Sequence, residues 1–198
     1  MSGMLQAPPA LATVRRRRRV VALMLGLVSA LGIAVAGPAT AGPGYDTFEG
    51  SCEIPATVVF DPPLTGSTQQ VHTVADGRGP CTGTWTTAAG RTLTLDGATV
   101  VYHAEADGRQ SCSASESTTG PGFFRYRDRK IKFTFSESRV GAYTPIRLEG
   151  KRGGAFDGRA DPAEDQDPLE ILQKCASTGL DEARVVIRGS TDPGGISG

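Results

Sequence analysis

The sequence predicts an all-β domain, an antiparallel barrel or sandwich of about eight to ten strands with one short helix near its C-terminus. Three observations carry this. Apolar residues recur at period two, and the breaks between runs are Gly, Pro and Asp-Gly pairs, which is the pattern of strands and turns. Four cysteines, none in a Cys-x-x-Cys pair, read as two disulfides in an oxidising compartment. Successive runs sit at hairpin spacing rather than across long crossovers, which favours the barrel over the sandwich.

The chain is expected to open with an export leader. Arg15 to Arg19 run directly into the apolar stretch Val20 to Ala36, Gly37-Pro38 breaks any helix there, and Ala39-Thr40-Ala41 offers a signal-peptidase site before Gly42. Residues 1–41 are therefore expected to be a signal peptide, residues 42–190 a secreted disulfide-stapled β-domain, and residues 191–198 a flexible tail. The alternative is an uncleaved N-terminal helix that anchors the chain in a membrane. Cleavage removes five of the 21 basic residues and none of the 21 acidic ones, so the mature domain carries 16 − 21 = −5. That balance gives no reason to seek nucleic acid, or a membrane once the leader is gone. There is no Asn, which excludes N-linked glycosylation, and Arg outnumbers Lys, as in a GC-rich genome.

Asp76-Gly77, Asp96-Gly97, Asp107-Gly108 and Asp157-Gly158 are expected at turns, because Gly accepts positive φ at little steric cost. Thr92 to Leu95 and Ala98 to Ala106 read as two strands around the second of them, with a return through Ser111 to Ser117. Between Gly122 and Arg139 the apolar residues sit on even positions at Phe124 and Tyr126 and on odd ones at Ile131, Phe133 and Phe135. One regular strand cannot do that, so a tight turn or bulge is expected near Arg127 to Lys130. Asp167 as N-cap, Pro168 in the first turn, Glu170 three after the cap and Gly179 beyond the end define the helix. Val185 to Arg188 supply a last strand. Four cysteines allow three pairings; the sequential one, Cys52–Cys81 and Cys112–Cys175, is preferred and would pin the helix to the sheet. Chain entropy alone assigns loops of those lengths roughly 3.5 and 4.3 kcal/mol.

No nucleophile elbow, zinc-binding helix or phosphate-cradling glycine loop occurs, and no cofactor is expected. A pair of carboxylates can still hydrolyse glycosides without a sequence signature. Glu116 and Glu137 are the candidates, since strand parity carries both toward the interior side. His72 reads as a loop residue. His103 shares a strand face with Glu105, either as a surface pair or as a general base. Asp161, Glu164, Asp165 and Asp167 form an acidic stretch that could gather Ca²⁺ or simply start a helix in water. Arg125, Arg127 and Arg129 form a basic face that could meet an anionic surface polymer or protect a strand edge.

The order Phe48-x-Gly50-x-Cys52, Gly79-x-Cys81-x-Gly83, Gly90-Arg91, Ser111-Cys112, Gly120-x-Gly122 and Gly153-Gly154 before a late Cys175 resembles uncharacterised small secreted all-β proteins of GC-rich bacteria. That resemblance implies export and fold, and no activity. Two classes of function follow from the residues: a non-enzymatic secreted module that binds a small ligand or a cell-surface polymer, and an extracellular hydrolase built on the carboxylate pair.

Overall fold

In this computed structural model the described residues are 44–198, Ala142 excepted, so the leader and its Ala39-Thr40-Ala41 site lie outside them. Strands β1 (Thr47–Leu64), β2 (Gln69–Thr86), β3 (Thr92–Gln110), β4 (Ala114–Tyr126), β5 (Arg129–Val140), β6 (Pro145–Gly150) and β7 (Ala155–Pro162) each pair antiparallel with the next. Helix α1 (Pro168–Ala176) follows, then β8 (Leu180–Thr191), which runs back along β1 and pairs Ile54 with Ile187 and Ala56 with Val185. That pairing closes an eight-stranded up-and-down barrel, to which the short β9 (Ile196–Ser197) adds against the start of β1.

The strands are longer than expected, because none of the four Asp-Gly pairs ends a strand. Asp76-Gly77, Asp107-Gly108 and Asp157-Gly158 lie within β2, β3 and β7. There glycine serves close approach between strands: a Cβ at Gly108 would stand 2.8 Å from Thr118 Cα, and one at Gly158 2.4 Å from the Arg188 carbonyl oxygen. Only Gly97 takes a positive φ, +63°, and it bends β3 beside a register shift against β2 instead of ending the strand. The parity flip after Tyr126 is a two-residue hairpin, with Tyr126 opposite Arg129 and Arg127 at φ 56°.

Helix α1 begins as the sequence predicts, with the Asp167 carboxylate accepting from the Leu169 N–H at 2.9 Å. Ser177 takes the C-cap, and Gly179, φ 89°, donates its N–H to the Lys174 carbonyl at 2.8 Å. No residue of α1 is buried. Its covalent tether is the Cys112–Cys175 disulfide; the other disulfide, Cys52–Cys81, bridges directly opposed residues of β1 and β2.

The barrel is packed solid at one end. Phe48, Trp85, Leu95, Phe124, Ile131 and Ile196 are all 1 % exposed or less, and Trp85 lies 5.9 Å from Tyr126 and 6.1 Å from Phe48, ring to ring. Buried Asp46 latches this end, accepting from Trp85 Nε1 at 2.8 Å and the Ala88 N–H at 2.7 Å. Residues 191–198 belong to the same plug, in contrast to the flexible tail expected of them. Ile196 is fully buried, Thr47 Oγ1 and Ser197 Oγ are 2.9 Å apart, and the Gly198 N–H donates to the Asp46 carbonyl at 3.2 Å. An apolar side chain with an open barrel end to enter outweighs the chain entropy of a terminus.

Ile196→Ala should therefore lower unfolding stability by about 2–5 kcal/mol, as for other buried Ile-to-Ala truncations. Urea denaturation of the disulfide-bonded protein measures this; a merely trailing segment would leave the midpoint where it was.

Candidate functional site

The opposite end of the barrel is built differently. Along the inner face of β5, Ile131, Phe133 and Phe135 give way to Glu137 and then Arg139. Around them stand Thr73 on β2, Tyr102 and Gln110 on β3, and Ser115 and Thr118 on β4, all buried. At this level Ala75, Ala104, Ala106 and Ala160 stand among the larger Tyr102, Phe135, Ile146 and Ile187. Small side chains leave a cavity of about 30 Å³ between Glu137, Tyr102 and Thr73, room for a water molecule.

Ala160 and Val185 also wall a second space of about 370 Å³, which lies between the barrel mouth and α1. Ile171 and Leu172 of α1, Leu180 and Ala183 of β8 and Pro162 of β7 make it mainly apolar. Its polar members include Arg139, Arg184, Gln166 and Thr144. The volume falls in the range of small-molecule sites, and apolar walls with few polar groups are their usual chemistry. A larger and more open groove of about 500 Å³ runs past Asp76, Arg78, Asp165 and Arg184, with Pro55, Val101, Ala163 and Val185 between these charges.

The electrostatics of the inner site are those of groups taken out of water. Burial raises the Glu137 carboxyl above its ordinary range, against the pull of Arg139 and of the hydrogen bond from Ser115 Oγ at 3.1 Å. Burial likewise pushes the Tyr102 phenol upward, and the Glu137 charge adds to it. Arg139 is lowered by burial and partly restored by Glu137. Gln110 Nε2 donates to Thr73 Oγ1 at 2.7 Å, and Arg139 Nη2 donates to the Ser111 carbonyl at 2.9 Å. Tyr102 Oη, Gln110 Oε1, Thr118 Oγ1 and Arg139 Nε are buried without a hydrogen-bond partner among the described residues. Four such atoms in one half of a small barrel mark it as a place for something polar.

The sequence candidates are dispersed. Glu137 is inside, but Glu116 is outside: Ser117, φ 46°, forms a bulge between Ser115 and Thr118 that breaks the parity argument, and Glu116 stands in solvent 3.7 Å from Arg109. The two carboxylates thus lie on opposite faces of the barrel wall and do not flank a common substrate. His103 lies on the outer surface, Nδ1 2.8 Å from Asp76 Oδ1 and Nε2 3.1 Å from Glu105 Oε1. Burial would lower its pKa, but the hydrogen bonds to the two carboxylates outweigh that and raise it. His72, expected in a loop, lies within β2 because it is in register with Asp107 of β3, and it pairs with that carboxylate at 3.1 Å on the same face as His103.

Arg125, Arg127 and Arg129 do not form one patch. Arg125 is exposed on β4, the Arg127 guanidinium stands 5.1 Å from the Tyr126 ring, and Arg129 turns inward to within 3.6 Å of Asp46. Asp161 is engaged by Arg159 and Arg188 at 2.9 and 3.3 Å, Asp165 pairs with Arg184, Asp167 caps α1, and Glu164 is exposed. Among the described residues no group of three or more His, Cys, Asp or Glu could hold a metal ion. Arg139, Tyr102, Gln110 and Thr73 form the site without a local motif; the alternation of β5 into Glu137 and Arg139 is the one sequence signal that leads to it. Comparison with known proteins returns no matching family, no matching curated protein and no matching solved structure.

A carboxyl raised in the folded state favours the protonated form, so its contribution is present below the unfolded pKa and is lost as pH rises through the folded one. Relative to Glu137→Gln, the wild type should be most stable near pH 4 and lose ground as pH climbs above Glu137's ordinary value. Urea titrations of both proteins across pH 4 to 8 measure this; parallel curves would mean that Glu137 is solvated.

Proposed function

We propose that the mature domain is a secreted, non-enzymatic binding protein that holds a small, largely apolar ligand in the pocket between the barrel mouth and α1. The observation that carries the reading is the 370 Å³ apolar space that shares its walls with a polar barrel interior. The fold supplies the rest of the logic. An aromatic plug stops one end of the barrel, so a ligand has one way in, and α1 lies over that opening with its side chains unburied and a disulfide for a hinge pin.

The surface supports the same reading. Of the five most exposed large hydrophobic residues among those described, four belong to this end: Leu169 and Leu172 of α1, and Val140 and Tyr143 beside the β5–β6 turn whose Gly141 and Thr144 line the pocket. Clustered apolar residues at the rim of a cleft are a feature of binding surfaces. Two disulfides suit an oxidising, extracellular setting, and no helix among the described residues is long and apolar enough to cross a membrane. Export by a cleaved leader over residues 1–41 completes the proposal.

A neutral apolar fluorophore, N-phenyl-1-naphthylamine, should bind saturably with enhanced emission. Ala183→Trp, which fills the pocket, and Leu172→Asp, which charges its wall, should each weaken binding roughly tenfold or more, equivalent to about 1.4 kcal/mol. Arg127→Ala, at the plugged end, should change nothing. Unsaturable emission, or variants indistinguishable from wild type, would refute the pocket.

A further inference from the structure

Resting on the binding reading above, we propose that the pocket selects ligands ending in a single carboxylate, and that Arg139 is the group that receives it. Two cations line the pocket, and they are in different states. Arg184 is already committed to Asp165, through both its carboxylate and its backbone carbonyl. Arg139 has no carboxylate within ion-pairing distance among the described residues.

The guanidinium of Arg139 is nevertheless fixed. Its Nη2 donates to the Ser111 carbonyl at 2.9 Å, which orients the plane, while Nε is buried with no acceptor. A buried cationic donor left unmade is expensive, and an arriving carboxylate would satisfy it with a charge-assisted bond. The adjacent carboxyl does not already fill this role. Glu137 precedes Arg139 by two residues on the same strand face, but its hydrogen bond comes from Ser115 Oγ, and burial favours its neutral form. Glu137 acts on the Arg139 guanidinium through its charge but makes neither a hydrogen bond nor an ion pair to it, so the Nε donor stays open to an incoming anion.

The remaining walls define the rest of the ligand. Ile171, Leu172, Leu180 and Val185 offer an alkyl or aryl body no hydrogen bonds, and Arg184 and Gln166 are already engaged with Asp165 and with each other, so the open charged donor stands at the Arg139 end. One arginine with one free edge matches a monoanion better than a phosphate, whose second charge and third oxygen would find no further donor of that kind. The class is therefore an amphiphilic monocarboxylate, with its head toward Arg139 and its tail under α1.

The experiment is competition against N-phenyl-1-naphthylamine by dodecanoate and by its uncharged methyl ester, on the disulfide-bonded protein. In the wild type dodecanoate should displace the probe at a concentration roughly tenfold or more below the ester, the value of one charge-assisted hydrogen bond. Arg139→Gln should bring the acid to the level of the ester and leave the ester unchanged, and Arg139→Lys should keep part of the preference. Equal displacement by acid and ester in the wild type overturns the proposal while the binding reading stands. So does an acid preference that survives Arg139→Gln, because the carboxylate is then held elsewhere. Failure of the probe itself to bind refutes the binding reading, a result distinguishable from either. Should Arg139→Gln not fold, the wild-type acid–ester comparison and Arg139→Lys still decide.

Discussion

The return of β8 onto β1 is the constraint on which everything else depends. Ser51 to Val59 pair with Ser190 to Glu182 in unbroken register, and this seam turns a meander into a closed wall with an inside. Closure removes the two exposed edges an open eight-stranded sheet would present, and it makes alternation along each strand a choice between core and solvent. Once Ile54 and Ile187 face inward across the seam, the inner positions of the other strands follow by hairpin register. The Cys52–Cys81 bridge ties β1 to its other neighbour close to this seam.

Within the closed wall, residue size divides the interior. Packed rings such as Phe48, Trp85 and Phe124, with Ile196 from the C-terminus, occupy one half; in the other, alanines on β2, β3 and β7 stand among Tyr102, Phe135, Ile146 and Ile187 and leave space. An eight-stranded barrel has an interior just wide enough to be filled or to hold one small ligand, and here each half takes one of those solutions. The polar groups Glu137, Arg139, Tyr102 and Gln110 are all on the alanine side, where their desolvation is tolerated only with partners. Stability and binding are thus separated along the barrel axis: the aromatic plug and the Asp46 latch hold the fold, and the loosely filled end, covered by a tethered helix, is available to a ligand.

Much of the fold was legible because it is locally encoded. The cap at Asp167 with Pro168 defined the helix, the parity flip after Tyr126 located the break that the structure makes a β4–β5 hairpin, and hairpin spacing favoured a barrel. What misled were features whose meaning depends on distant chain. Asp-Gly pairs resemble turns until a neighbouring strand packs against the glycine, as Thr118 does at Gly108. The bulge at Ser117 reversed the face of Glu116, and no local residue pattern announces it. Arg129 looked like part of a basic strip, but Asp46, far away in sequence, draws it in. The pocket itself was not legible, since it exists only where α1 meets walls contributed by β5, β7 and β8.

The central claim is that the two ends of the barrel differ in kind, one packed and one receptive. Methyl-resolved NMR titration with N-phenyl-1-naphthylamine tests this directly, because methyl groups report from both ends at once. The account predicts saturable shifts at Ala160, Ile171, Leu172, Leu180, Ala183 and Val185, with Leu95, Ile131 and Ile196 unmoved. Shifts at the plugged end, or scattered over the outer wall, would contradict it.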